Sequence, residues 1–376
     1  MNQTGPSNPS LHIGDTLILR QRANSLNFLR LALALLVIFS HTFPIGGFGN
    51  ERILGNQTLG DISVDGFFAI SGFLICGSAM RHTSRFGLGR GLTKYFWDRV
   101  LRIFPAFWIC LVVTAAVFGA IGWWSAHHGV SGYWSAPGGP LHYILHDSYL
   151  RMNDYTISGT PANVPYTQAW DGSLWTLSWE FLCYIGVAAL AVLGLLVRRH
   201  IVIWIAVLIW LAEAISFFDF SLFPSTQYAL RFGTIFIVGA LVYLYRDRIP
   251  DSGRLAGVCV IVAMLGMALG HPLSHVSDWI TGPALVYPVL WLGAHLPLRK
   301  VGGTHDLSYG VYIYAFPVGQ ILALGHVQRY GYLAFAFATV AGTLPLAAAS
   351  WWGVERWALR AREWITFRPG DVTIDR

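Results

Sequence analysis

The sequence predicts an all-α integral membrane protein: a bundle of about ten transmembrane helices with its N and C termini in the cytoplasm. Three observations carry that expectation. Hydrophobic residues make up 55% of the chain and charged residues only 12%, about half the charged share of a soluble domain. Sixteen Trp, sixteen Tyr and twenty-three Phe give an aromatic load typical of membrane interfaces. Ten apolar runs recur along the chain, each near the roughly 20 residues that cross about 30 Å of hydrocarbon. A mean hydropathy of +0.52 agrees. This composition excludes a disordered chain, a nucleic-acid-binding module and an ordinary cytosolic enzyme.

The runs begin near residues 26, 61, 103, 173, 200, 227, 254, 279, 306 and 331. Segment 1–22 has no charged-then-apolar leader pattern, so the first run is expected to be retained. Segment 125–171 is rich in Gly, Pro, Ser, Asn and Asp and reads as a long extramembrane loop with a short interfacial piece at L-H-Y-I-L-H-D-S-Y-L. Basic residues then set the orientation. Arg20 and Arg22, the group from Arg81 to Arg102, Arg198 and Arg199, Arg246, Arg248 and Arg254, Arg299 and Lys300, and five arginines from Arg356 to Arg376 fall on one side, twenty of the 25. Arg52, Arg151 and Arg329 fall on the other, with Arg30 and Arg231 inside spans. An odd number of spans would scramble this alternation. The expected layout is a cytoplasmic tail over 1–22, a membrane domain over 23–355 with loop 125–171 outside, and a cytoplasmic tail over 356–376. Cys76, Cys110, Cys183 and Cys259 sit in apolar runs without a C-x-x-C pair and read as small buried side chains, so no metal site is expected.

Ionisable groups inside spans are costly and become functional candidates by default. In the first span, Arg30 and His41 are eleven residues apart, almost three turns, so they share a face with roughly 16 Å between them along the axis. Arg30 belongs near the cytoplasmic end, as donor-site residue or snorkelling anchor, and His41 in the outer half. In the second span, Asp61 and Asp65 are four apart; Asp61 reads as a residue of the helix start, and Asp65 lies a turn deeper, before a glycine. The fourth span carries a polar stripe of Ser173, Thr176 and Glu180 at helical spacing, with Trp175 and Trp179 on other faces. At 1.5 Å per residue, Glu180 comes about 10 Å below the outer surface, a depth similar to that of His41. An imidazole with carboxylates at its level suits proton transfer near neutral pH. Glu213 and Arg231 are expected to form a structural ion pair, or to bind substrate. At the inner mouth of the third span, Arg99 and Arg102 are three apart and project together, as a guanidinium fork for phosphate or as ordinary positive-inside charge.

Together these residues resemble the membrane-bound acyltransferase 3 family. The resemblance rests on N-F-L-R with His41 eleven residues later, D-G-F-F-A-I-S-G-F-L-I in the second span, R-x-x-R-I-F-P from Arg99 to Pro105, and S-L-W-T-L-S-W-E ending at Glu180. L-S-Y-G-V-Y-I-Y-A-F-P-V from Leu307 and V-E-R-W from Val354 to Trp357 complete it, so it runs over residues 24 to 360. It implies transfer of an acyl group, usually acetyl from cytoplasmic acetyl-CoA, to a carbohydrate hydroxyl at the bacterial inner (plasma) membrane. Acyl-CoA is then a co-substrate, and no cofactor is bound permanently. Carried over by position, His41 is the catalytic histidine and Arg30 its motif partner. Arg99 and Arg102 are the candidate CoA-phosphate site, and Asp65, Ser71 and Glu180 line the reaction centre. Where many members have a further histidine, this chain has Ala315, which leaves the proton chemistry to His41. The chain ends soon after the tenth run, so an appended hydrolase-like domain is not expected. The implied partners are acyl-CoA, a carbohydrate acceptor, membrane lipid and the enzymes of polysaccharide synthesis, with no nucleic acid. Two rival readings remain: a transporter of a lipid-linked sugar or small anion, which would favour paired broken helices, and a sensor or scaffold for surface-polymer assembly.

Overall fold

The computed structural model describes residues 12–18, 24–51, 57–216, 224–269, 274–303 and 305–365. Its helices are α1 (Ile13–Ile18), α2 (Leu26–Ile45), α3 (Leu59–Phe86), α4 (Leu88–Val113), α5 (Gly119–His127), α6 (Pro140–Asp147), α7 (Thr176–Val192), α8 (Arg199–Ser216), α9 (Pro224–Leu244), α10 (Gly253–Ala268), α11 (Ser274–His295), α12 (Ser308–Leu324), α13 (Tyr332–Ser350) and α14 (Arg356–Arg360). Every apolar run falls on a helix. Six helical stretches are both long and apolar enough to cross a membrane: Leu26–Ile45, Leu59–Phe86, Leu88–His127, Arg199–Ser216, Thr226–Leu244 and Tyr332–Trp364. α7, α10 and α12 are apolar but have only 17, 16 and 17 residues. At 1.5 Å rise per residue such helices extend about 25 Å, short of the hydrocarbon thickness unless flanking residues help. Of the arginines that bear on orientation, Arg20, Arg22, Arg52, Arg368 and Arg376 lie outside the described residues.

α3 and α12 form the interior. Their chemistry explains why: α3 is punctuated by small residues, so neighbouring backbones come close. A Cβ on Gly72 would stand 2.1 Å from the Phe236 carbonyl oxygen of α9, and one on Gly239 of α9 would stand 2.4 Å from the Ala69 carbonyl oxygen. Small residues at a helix crossing replace the side-chain knobs of soluble bundles. Fourteen residues of α12 are buried, on all of its faces. α8, by contrast, leaves Trp204, Leu208 and Ile215 about two-thirds exposed, an outward apolar face suited to lipid.

Three features of the sequence take a different form from the one expected. The connection between the second and third runs is hardly a loop, because α3 continues to Phe86 and α4 starts at Leu88, with Gly87 turning the chain at φ +76°. Hydropathy hid this, since residues 81–102 are charged while being helical. The corner is held by Asp98, whose carboxylate lies 3.2 Å from His82 Nε2 and 3.4 Å from Lys94 Nζ. Pro105, expected at the start of a span, sits inside the unbroken α4. Membrane helices tolerate this because neighbours satisfy the freed carbonyl. Last, α13 runs on through a π-turn at Trp351–Glu355 into α14 and a 3-10 turn at Ala361–Trp364. The first part of the expected tail is therefore docked: Trp97 Nε1 donates to the Ala361 carbonyl at 2.8 Å.

The loop over 125–171 is a folded cap. Its expected short piece is α6, and Tyr133, Tyr143 and Trp170 are fully buried. The Trp170 N–H donates to the Tyr155 carbonyl at 2.7 Å, and Trp170 Nε1 donates to Thr160 Oγ1 at 3.0 Å. From α12, Gln320 Nε2 donates to the carbonyls of Tyr166 and Ala169 at 2.8 and 2.6 Å. One buried amide thus pins the cap to the most enclosed helix.

Candidate active site

His41 is carried near the C-terminal end of α2 and lines a chamber of about 300 Å³. Asp61 and Val64 of α3, Ser173 and Trp175 before α7, Thr176 and Tyr312 complete much of its wall. The imidazole packs edge-on against Phe316, with ring centroids 5.2 Å apart at 66°. Its Nδ1 is buried without a hydrogen-bond partner. The carboxylate neighbour expected to fix its tautomer is not in contact: Asp61, which shares the chamber, caps α3 instead. The Thr58 side chain accepts from Asp61 N at 3.0 Å, and Thr58 N donates to Asp61 Oδ2 at 3.1 Å, a reciprocal capping box.

Three lining residues, Val64, Thr176 and Tyr312, also belong to a second, much narrower chamber of about 40 Å³ that is lined by Arg30 and Glu180. The partition between the two is hydrogen-bonded. The Tyr312 hydroxyl donates to the Ser173 carbonyl at 2.8 Å and lies 2.5 Å from Thr176 Oγ1. The stripe of Ser173, Thr176 and Glu180 therefore leads from one chamber to the other. Arg30 and His41, predicted to share a face of α2, open into the two chambers in turn. Glu180 accepts from Ser71 Oγ at 2.7 Å and from the Tyr184 hydroxyl at 2.6 Å, which fixes the carboxylate between α3 and α7.

Beyond the second chamber lies a cluster that the sequence did not reveal. Asp306 Oδ2 meets Arg102 Nη2 at 2.5 Å and Arg30 Nη1 at 3.0 Å. Glu355 Oε2 stands 3.5 Å from Arg102 Nη1. Arg102 and Arg99 do not form a free fork, since Arg102 is committed to these two acids. Arg99 has a buried Nε without a hydrogen-bond partner. Asp306 sits at the very edge of the ninth apolar run, in G-G-T-H-D-L-S, a setting typical of a turn residue; the available signal was its spacing to Ser308, whose N–H and hydroxyl it accepts at 3.2 and 2.5 Å in a turn just ahead of α12. The π-turn places Glu355, a use of such turns that recurs at functional sites.

Comparison with known proteins decides what these chambers belong to. Residues 23–352 match the acyltransferase 3 family, described as an acyltransferase domain. The chain belongs to the acyltransferase 3 family. It is 28% identical over 346 residues to a protein named O-acetyl transferase from Shigella phage Sf6, covering 89% of this chain and 96% of the relative. It is 28% identical over 377 residues to Nodulation protein 10 of Rhizobium leguminosarum bv. viciae, covering 92% of this chain and 95% of the relative. No solved structure matches the chain. With its six long apolar helices, this acyltransferase is a multi-pass membrane protein.

Within this acyltransferase, Asp65 does not line either chamber. It is buried one residue beyond Val64, where Arg231 Nη2 donates to both of its carboxylate oxygens at 3.1 Å. Arg231 also lies 3.5 Å from Asp278 Oδ2 and 3.9 Å from Asp61 Oδ1. The expected Glu213–Arg231 pair is corrected accordingly: Glu213 accepts from Thr234 Oγ1 at 2.8 Å, and Arg231 answers Asp65. Depth along the membrane had placed both groups at one level but said nothing of the direction each faces around its helix.

The cap has its own electrostatics. Burial pushes the Asp171 carboxyl up to about 7, although the Tyr143 hydroxyl donates to it at 3.0 Å. Burial likewise raises Asp147 to about 6, against backbone N–H donors from Asn153 and Asp154. On the cap surface, His142 Nδ1 and His146 Nδ1 lie 3.0 and 2.8 Å from Asp154 Oδ2, a trio within 4.8 Å that has the donor types of a metal site.

Proposed function

We propose that this protein transfers an acyl group, acetyl first, from cytoplasmic acyl-CoA to a hydroxyl of a surface or secreted carbohydrate, across the bacterial inner membrane. The carrying observation is the pair of chambers that meet at Val64, Thr176 and Tyr312, with His41 in one and Arg30 and Glu180 in the other. The layout suits ten spans with cytoplasmic termini, which puts the cap and His41 outside and Arg99 and Arg102 inside. The acyltransferase 3 membership and the similarity to an O-acetyl transferase support the chemistry.

In this reading Arg99, with no hydrogen bond to its buried Nε, meets the donor phosphates, and Arg30 and Arg102 lie on the thioester's route. Ser71 holds Glu180, and Glu180 lines the narrow space that the donor's thioester has to enter and widen. His41 removes the proton of the acceptor hydroxyl as its oxygen attacks the carbonyl carbon. The tetrahedral intermediate collapses, the carbon–sulfur bond breaks, and the CoA thiolate leaves with the proton that His41 took. A two-step variant, in which His41 first carries the acyl group, uses the same residues. Asp65 acts at one remove, by holding Arg231 and so the stretch of α3 that bears Asp61 and Val64. The test is His41→Ala in the host, with its level in the membrane verified and the surface carbohydrate weighed by mass spectrometry. Loss of the acyl mass increment is expected; an unchanged glycan mass removes His41 from the chemistry.

A further inference from the structure

We propose that the cleft beside the His41 chamber is a second acceptor subsite, which binds a neighbouring sugar so that the substrate is an oligosaccharide rather than a single sugar. The inference rests on the acyl-transfer reading above and assigns the cap its part in it. The cleft has a volume of about 400 Å³, within the range of small-ligand sites, and its walls include Tyr155, Tyr166, Gln168, Gly172, Trp175 and Tyr228. Among the described residues, none that lines it is charged. Tyr155 and Tyr228 face the opening, 37% and 45% exposed. Such a lining matches a pyranose, whose C–H faces stack on rings while its hydroxyls meet phenols and an amide. A charged peptide would find no counter-charge there, and a lipid chain would strand the polar groups.

Position makes the case specific. Trp175 lines both the cleft and the His41 chamber, so a sugar chain can lie across it with one residue on each side. Behind both spaces, Phe316 links their linings: it meets the His41 ring at 5.2 Å and the Tyr166 ring at 5.8 Å. The cleft is preorganised. Tyr228 stands edge-on to Trp175 at 4.7 Å, and the buried Gln320 amide clamps the carbonyls of Tyr166 and Ala169. Preformed aromatic walls cost little ordering on binding.

The experiment uses the full chain in lipid nanodiscs, with acetyl-CoA as donor. The acceptors are size-fractionated oligosaccharides, from monosaccharide to tetrasaccharide, released by mild acid from the host's own surface polysaccharide. Transfer is expected to gain roughly tenfold in kcat/KM once the acceptor exceeds one sugar. Tyr155→Ala and Tyr228→Ala are each expected to raise KM for the longer acceptor roughly threefold to tenfold, with kcat held, the worth of one aromatic contact. Tyr155→Phe and Tyr228→Phe should restore most of the loss, which a folding defect would not. Equal kcat/KM at every length, or alanine variants with the wild-type KM, overturns the subsite alone. A wild-type protein that acylates no carbohydrate in this series overturns the acyl-transfer reading itself, and the subsite with it.

Discussion

At the Arg102 end of the bundle, two arginines meet two carboxylates, with Asp306 Oδ2 shared by Arg30 and Arg102 and Glu355 completing the group. At the His41 end, one imidazole stands without a hydrogen bond at Nδ1, packed edge-on to Phe316. Both ends place ionisable groups at partly or wholly enclosed sites, yet they resolve the desolvation cost in different ways. Two guanidinium groups and two acids hold one another in a single geometry. A single group that is neutral when unprotonated needs no partner, and is free to accept a proton when a substrate offers one. The contrast shows that charged residues within a membrane, which ordinarily signal function, can also be held by one another, as the arginines and acids at the first end are.

Breaking the contrast at the His41 end should have the largest effect. His41→Ala is expected to lower acyl transfer about a hundredfold to ten-thousandfold, the range for loss of a general base, with little change in melting temperature. The reverse pattern is expected at the other end. Asp306→Ala strands Arg30 and leaves Arg102 with Glu355 alone, and should cost about 3–5 kcal/mol of stability, read from thermal unfolding in detergent, because a broken buried pair leaves uncompensated charge. Asp65→Asn and Glu213→Gln sharpen the same point within one layer. The first loosens the carboxylate that Arg231 grips through both oxygens and should cost about 3 kcal/mol; the second keeps an acceptor for Thr234 and should cost less than about 1 kcal/mol. If the two cost the same, Arg231 depends on Glu213 after all. Ser71→Ala removes one of two donors to Glu180 and should cost about 0.5–1.5 kcal/mol, with a several-fold fall in transfer.

The smallest effect concerns the cap. Asp147 and Asp171 have folded values of about 6 and about 7, above the ordinary carboxylate near 4. Their protonated forms suit the folded cap, so the stability they contribute is complete below pH 4 and declines as pH rises towards 7. Melting of the wild-type protein should therefore shift upward between pH 8 and pH 5. Asp171→Asn should flatten much of that shift, and an undiminished shift in the variant would assign the dependence to other groups.

Much of the fold was legible because hydrocarbon imposes a strict rule on sequence: apolar length. Each of the ten runs lies on a helix, and of the polar stripe expected over Ser173, Thr176 and Glu180, Thr176 and Glu180 lie on α7 while Ser173 comes just before it. The helical corner at Gly87 was hidden because hydropathy is silent about helices that carry charge. Partner choice was hidden for a geometric reason. Position along a span gives depth, whereas the pairing of Arg231 with Asp65 depends on rotation of α3 and α9 about their axes. Asp306 and Phe316 were illegible on similar grounds: one lies just before a helix, and the other is an apolar residue among many. His41 stood out alone because a histidine in an apolar run is rare, whatever surrounds it.

The tyrosine partition has a physiological corollary. A protein with an aqueous route from one compartment to the other would short-circuit the ion gradient that energises the cell. Tyr312, tied to Thr176 and to the Ser173 carbonyl, interposes an aromatic plug between the two cavities. Were an acyl unit to cross here, as the proposed function requires, Tyr312 would have to tilt out of those two bonds and close them again behind it.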